Sequence, residues 1–251
     1  FLGDVAINNL DVTTQGFASD GIFAQVFDND ASILIYSGDV ATEGPASRGI
    51  VVRHDGMFGD GLTQVFSGNV TTAGADSVGI DVVTNGSLIT LESGSVTTTG
   101  DFAHGIVARS GNEIQLVSDH VSTAGLGAIG IQAEATSFVT VDSVEVETQG
   151  DGAHGIVADS GFSAYVRSET VRTNGTEAHG IIVQGLDKLA YAESGSVVTS
   201  GDGSVGILAR STGSVTVSSG SVVTTGASLV TDGGGDGPPG DGGGDGFPPD
   251  D

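Results

Sequence analysis

The sequence predicts an all-β protein, a right-handed parallel β-helix (β-solenoid) with about 25 residues per coil and roughly nine coils. Three observations predict this fold. One short phrase recurs along almost the whole chain, apolar residues alternate with polar ones in short segments, and no long segment has the periodicity of an amphipathic helix. We expect the repeat domain to cover residues 1–231.

The recurring phrase is Val-x-Thr-x-Gly, followed five residues later by a second glycine and then, in every such copy, by isoleucine. Only stacked neighbours impose the same side chain on the same slot of every repeat, so each repeat is expected to form one coil of a stack. The nine copies begin at Val12, Val40, Val70, Val96, Val121, Val146, Val171, Val197 and Val222.

Each repeat contains three short alternating segments that are rich in Val, Ile and Thr and are separated by Gly, Ser, Asn and Asp. This pattern predicts three strands and three bends per coil. Equivalent strands in successive repeats run in the same direction, so they should pair in parallel about 4.8 Å apart. Parallel connections of this kind favour the right-handed path.

Two polar columns accompany the apolar ones. The residue three positions before the repeat valine is serine in eight of nine copies, and the threonine of the phrase lies in phase with the same valine. We expect both to face inward, with each hydroxyl donating to its counterpart one coil away. The predicted ladder residues are Ser93, Ser118, Ser143, Ser168, Thr98, Thr123, Thr148 and Thr173.

The slot directly after the repeat isoleucine should face outward, yet it is mostly apolar. A stripe of this kind along a rod indicates lateral association with another rod or a covering segment. A semi-buried position at a bend is the alternative interpretation. The residues of this apolar stripe are Phe23, Val51, Val107, Val157, Ile182 and Leu208.

Composition excludes several classes of partner. The chain has 7 Lys+Arg against 32 Asp+Glu, a formal net charge of −25, which disfavours nucleic acid and anionic membranes. It has no cysteine, so disulfides and thiolate metal sites are unavailable. No apolar run reaches the roughly 18 residues of a membrane span, so we expect no membrane insertion by this segment.

The repeat stops before a Gly/Pro/Asp-rich segment at residues 232–251, which we interpret as a tail or linker. Its carboxylates suggest calcium, but they do not match the Gly-Gly-x-Gly-x-Asp pattern, and we expect no cofactor. Neither end of the repeat array carries a recognisable polar cap. We therefore expect self-association, end to end or lateral, or continuation of the stack by a longer chain.

Few residues suggest chemistry. His104, His154 and His179 share one slot, and a plain stack of imidazoles is preferred over a metal site because no third ligand is evident. Glu134 and Asp159 occupy adjacent coils, which keeps a polysaccharide lyase or hydrolase open as an alternative. The other charged and polar residues in the outward slots are scattered along the rod and do not form a cluster, so we expect the protein not to be an enzyme. Ice binding by threonine-rich strands is only a minor alternative. An ice-binding face needs a regular array of outward threonines, and the outward slots of this chain do not form one.

The repeats resemble the passenger domains of Gram-negative autotransporters. The resemblance rests on phrases such as Ser93-Gly-Ser-Val-Thr-Thr-Thr-Gly100 followed by Ala103-His-Gly-Ile-Val-Ala108. It implies a secreted or surface-displayed stalk on a Gram-negative bacterium, which would act as a structural or adhesive element. A surface glycan or a protein receptor would then be its partner.

Overall fold

A computed structural model describes residues 3–56 and 61–227 of the chain. These residues form eighteen β-strands and no helix, stacked in parallel as a β-solenoid of about eight turns with roughly 26 residues per turn. The predicted fold class is thus confirmed. The predicted tail, residues 232–251, lies outside the described residues, as do residues 228–231. No helix long and apolar enough to cross a membrane occurs in the described ranges.

The strands form two parallel sheets. The first sheet contains β1 (Val5–Gln15), β3 (Ile33–Glu43), β5 (Leu62–Ser67), β6 (Val70–Ala73), β8 (Leu88–Thr99), β10 (Glu113–Ala124), β12 (Phe138–Gln149), β14 (Ser163–Asn174), β16 (Leu189–Ser200) and β18 (Ser214–Thr225). The second contains β2 (Ile22–Val26), β4 (Ile50–His54), β7 (Ile80–Thr84), β9 (Ile106–Ser110), β11 (Ile131–Ala135), β13 (Ile156–Ser160), β15 (Ile181–Gly185) and β17 (Ile207–Ser211).

The expectation of three separate strands per coil is wrong for most coils. The first two predicted strands join into one bent strand, and only β5 and β6 remain separate. In β8 the buried positions are Ile89, Leu91 and Ser93, and then Val96 and Thr98, so the alternation slips by one residue after the serine. Parallel pairing continues past this bend and omits only Gly94. The bend at the serine column is called the serine corner below.

Equivalent residues stack in register from coil to coil. Val121, for example, pairs with Val96 on one side and with Val146 on the other. The interior is a continuous apolar column, and half of its twelve largest fully buried side chains are the isoleucines that follow the second glycine. Such a narrow core is filled by side chains along its whole length.

The turn from Val-x-Thr-x-Gly to Gly-Ile, called the threonine corner below, explains the repeat phrase. A Cβ on Gly105 would lie 2.5 Å from Val121 Cγ1 and 2.5 Å from the carbonyl oxygen of Gly130, both in the next coil. Glycine is therefore required where the valine of the following coil packs against the backbone. The conserved spacing is a packing requirement between coils.

The predicted hydroxyl ladders are wrong in their hydrogen bonding, although the side chains are buried as expected. Each threonine hydroxyl donates to a carbonyl five residues later in its own coil. These bonds are Thr98 to Ala103 (2.5 Å), Thr123 to Ala128 (2.6 Å), Thr148 to Ala153 (2.6 Å) and Thr173 to Ala178 (2.8 Å). Equivalent residues are about 4.8 Å apart, which is too far for a direct bond between identical hydroxyls.

The serine hydroxyls differ from the threonine hydroxyls. The Oγ atoms of Ser93, Ser118 and Ser143 are buried and have no hydrogen-bond partner within the described chain. Ser168 Oγ donates to the carbonyl of Thr170 at 3.3 Å, a bond inside its own coil. The serine column is therefore a stack of small buried side chains rather than a hydrogen-bonded ladder.

Candidate functional surfaces

A groove runs along the outside of the serine corner. Two hollows of about 640 and 590 Å³ lie along it and share Val117 and Asp119 as lining residues. Together they extend from Asn8 in the first coil to Gly220 in the last. The walls come from the slots immediately before and after the serine, which point outward on either side of the bend. This surface is called the serine groove below.

The N-terminal half of the serine groove is partly aromatic. Tyr36 and Phe66 come from adjacent coils and stack with ring centroids 4.9 Å apart and an angle of 13° between the rings. Tyr36 as a whole residue is 46% exposed. Asn8, Glu92 and Asp119 supply amide and carboxylate groups nearby, and no Lys or Arg is found among the residues that line this half. The surface combines an aromatic patch with hydrogen-bonding groups and negative charge.

The C-terminal half of the serine groove carries more charge. Asp142, Glu169 and Glu193 line it together with one cation, Arg167. The guanidinium of Arg167 lies 3.6 Å from Asp142 and 3.5 Å from Glu193, and about half of each side chain is exposed. Pairs as exposed as these contribute little to stability. They are available to rearrange around a ligand.

The apolar stripe is not a continuous exposed surface. Val51 and Val107 are buried, Val157, Ile182 and Leu208 are partly buried, and only Phe23 is well exposed, at 53%. The same slot holds Asp81, whose carboxylate is bound by Arg48 and Arg53. Side chains from neighbouring slots therefore cover the middle of the stripe. Lateral association through it stays a prediction.

The structure brings Glu134 and Asp159 together. They are register partners in β11 and β13, and both line a hollow of about 450 Å³ with Arg109. Arg109 Nε donates to Glu134 at 3.1 Å. Burial, and secondarily the charge of Glu134, raises the pKa of Asp159. A carboxyl with a raised pKa beside an ionised carboxylate is the arrangement from which general acid catalysis of glycoside cleavage starts.

The three histidines form a column with defined hydrogen bonds. His104 Nδ1 accepts from the backbone N–H of Ile129 at 3.0 Å, His154 Nδ1 from that of His179 at 3.1 Å, and His179 Nδ1 from that of Val205 at 3.0 Å. The rings of His154 and His179 are 4.9 Å apart and nearly parallel, at 6°. Because Nδ1 accepts, the proton of the neutral ring is on Nε2.

This geometry disfavours a metal at the column. The Nδ1 lone pair is already used, and Nε2 carries the proton, so neither nitrogen offers a free lone pair. Burial lowers the pKa of all three imidazoles, with Arg109 adding to the effect at His104 and His179 adding to it at His154. In the described ranges, no group of three or more His, Cys, Asp or Glu side chains is placed to hold a metal ion.

Sequence reasoning missed two features of these surfaces. The serine groove was not predicted, although the slot directly before the repeated serine varies freely, which is the signal of an outward-facing position. His54, which the sequence left isolated, is fully buried, with Nδ1 3.1 Å from Thr63 Oγ1 and 3.0 Å from Ser87 Oγ. Its partners are distant in sequence, so no local pattern identifies them.

Comparison of the chain with protein-family models, with curated proteins and with solved structures found no match.

Proposed function

We propose that this protein is a non-catalytic structural and adhesive rod, displayed outside a Gram-negative cell as in the autotransporter passengers that its repeats resemble. The observation that carries the proposal is the uniform stack itself. Its interior is filled by side chains, and the hollows described above are open surface features along its length. A rod of this kind extends, spaces or presents a surface.

The end of the rod at β18 supports assembly into longer fibres. Val215, Val217 and Val222 occupy inward slots, yet they are 49%, 48% and 47% exposed because no described strand pairs with the outer edge of β18. An open strand edge with an apolar face is a template for another strand. The corresponding slots of β1 hold Val5, Ile7 and Val12, so a second copy offers matching side chains.

Light scattering coupled to size-exclusion chromatography tests this assembly. We expect the wild-type chain to form elongated particles of more than one copy, and V217K/V222K to be monomeric. The matched control is T216K/V223K, which adds the same charge at the outward slots of the same strand and should assemble as the wild type does. Equal particle mass for both variants contradicts the proposal. If the wild type assembles only after removal of residues 232–251, the tail and not a second copy covers this end.

The serine groove is the adhesive surface in this proposal. Its length suits an extended chain, and its carboxylates repel anionic polymers. The aromatic pair and the amides suit a neutral glycan, because aromatic rings contact sugar C–H groups and polar side chains bond the hydroxyls. A protein receptor with an extended segment is the alternative ligand.

A carbohydrate-active enzyme is the second candidate, favoured by the raised pKa of Asp159 beside Glu134. One experiment separates the two functions. Cellohexaose and polygalacturonate are offered with and without calcium, and binding and chain cleavage are measured together. We expect binding of cellohexaose that Y36A abolishes and E134Q/D159N leaves unchanged, without cleavage. Cleavage abolished by E134Q/D159N would instead establish the enzyme, and binding unaffected by Y36A would contradict the adhesive role of the groove.

A further inference from the structure

The histidine column is used neither by the rod assembly nor by the serine groove. It occupies the slot before the second glycine, and each of its three hydrogen bonds joins one coil to the next. One bond joins the coils of His104 and Ile129, and the other two join the coils of His154, His179 and Val205. A backbone N–H that would otherwise lack an acceptor at this turn is satisfied by an imidazole.

Other coils show which side chains can fill this slot. Asp20 Oδ1 accepts from the backbone N–H of Arg48 at 2.9 Å, so a side-chain oxygen makes the same coil-to-coil bond. Val78 and Ile129 occupy the slot in other coils and have no acceptor for the backbone N–H of His104 and of His154, respectively. The fold therefore tolerates the loss of the coil-to-coil hydrogen bond at this slot. The three histidines are acceptors only while their Nδ1 atoms are unprotonated.

We propose that the histidine column is an acid-sensitive set of hydrogen bonds between coils. Protonation of His104, His154 and His179 breaks these hydrogen bonds and opens this turn locally, while the strands of both sheets stay paired. A protonated imidazole carries hydrogen on both nitrogens. Its Nδ1–H would then face a backbone N–H, so a hydrogen bond is replaced by repulsion between two donors.

The surrounding charges modulate this response without reversing it. Asp76 and Asp81 face His104 and favour its protonation, whereas Arg109 opposes it. Glu177 faces both His154 and His179 and favours protonation there, and the two imidazoles disfavour a second proton on the pair. Burial is the largest influence at all three positions and holds each pKa below its usual value.

The sign of the pH dependence follows from these directions. An opened turn exposes imidazoles with a pKa of about 6.5, while the closed turn holds them lower, so the opened state binds more protons between the two values. The closed turn is thus fully stable above about pH 6.5 and loses stability as the pH falls below it. Ordinary carboxylates titrate near pH 4, so a change in protection between pH 7.5 and pH 5.5 reports protonation of imidazoles.

Amide hydrogen exchange on the full chain tests whether acid breaks these hydrogen bonds. The amides of Ile129, His179 and Val205 are followed at pH 7.5 and 5.5, after correction for the intrinsic exchange rate. We expect their protection to fall by about tenfold at pH 5.5, the ratio set by one pH unit below the free imidazole pKa. Amides in the paired strands should keep their protection.

Two triple variants separate the chemistry from the packing. In H104N/H154N/H179N, each asparagine side-chain oxygen can accept the coil-to-coil hydrogen bond, as the side-chain oxygen of Asp20 does. The asparagine amide does not titrate, so this variant should show equal protection at both pH values. The corresponding triple valine variant should lose protection at both. H120N, whose imidazole lies outside the column and 3.3 Å from Glu145, should respond like the wild type.

The single variant H154N, read at the amide of His179, gives the same test if a triple variant does not fold. Unchanged wild-type protection at pH 5.5 would overturn the proposal. So would the same acid loss in the asparagine triple variant, or the disappearance of this loss in H120N.

Discussion

The threonine corner and the serine corner of the coils both carry buried hydroxyls, but the hydrogen bonding of these hydroxyls differs. At the threonine corner, Thr123 Oγ1 donates to the carbonyl of Ala128, and the second glycine leaves room for the valine of the next coil. Each threonine of the phrase that precedes Thr199 makes such a bond, whereas Thr199 Oγ1 has no partner in the described chain. At the serine corner, Ser118 Oγ has no partner in the described chain, and the outward slots beside the serine range from tyrosine to arginine.

This difference distinguishes slots that pack against the next coil from slots that can carry binding residues. Slots that must fit the neighbouring coil repeat without variation, whereas slots that border the serine groove are free to carry different chemistry from coil to coil. The fold is therefore maintained at the threonine corner, and the surface available for binding lies at the serine corner.

Overpacking the threonine corner should have the largest effect. A Cβ on Gly155 would lie 2.5 Å from the Gly180 carbonyl oxygen and 2.6 Å from Val171 Cγ1, so we expect Gly155→Ala to lower the free energy of unfolding by about 3 kcal/mol. Gly152 is the matched control, because it has φ +67° but nothing within 4 Å of an added Cβ. Gly152→Ala should cost about 1 kcal/mol. Equal losses in urea denaturation would contradict the packing explanation.

Removing one hydroxyl from each corner should give a smaller and unequal effect. Thr123→Val leaves the Ala128 carbonyl without its donor and should cost about 1–2 kcal/mol. Ser118→Ala breaks no hydrogen bond, so the free energy of unfolding should stay within about 0.5 kcal/mol of the wild type. The same urea titrations measure both. A serine substitution that costs as much as the threonine substitution would show that the serine column is a hydrogen-bonded ladder after all.

Much of the fold could be predicted from sequence because the repeat phrase reports contacts between coils. The spacing of Val121, Thr123 and Gly130 fixed the stacking, the parallel pairing and the buried columns. The merging of two strands across Ser93 could not be predicted, since the slip of alternation by one residue is compatible with either a turn or a bend within a strand. The hydroxyl bonds were assigned wrongly because sequence gives the slot of a hydroxyl and not the direction in which it points.

The surfaces were less predictable for the same reason. Val107 occupies an outward slot by alternation, yet neighbouring side chains bury it, and burial of this kind depends on the lengths of residues in adjacent coils. Glu134 and Asp159 were identified as neighbours because they share a slot. The acceptor role of His154 was not, because it depends on how the imidazole meets the backbone of the next coil.

Disulfide trapping tests the central claim, the superposition of equivalent slots one coil apart, most directly. The natural chain has no cysteine, so the introduced pair is the only one present. Thr97 and Ser122 are register partners on the outer surface, whereas Glu147 lies one coil further along. A disulfide requires Cα atoms about 4.4–6.8 Å apart. We predict rapid oxidation of T97C/S122C and none within the monomer of T97C/E147C. Equal trapping of both pairs, or trapping of the second alone, would contradict the stacked coil.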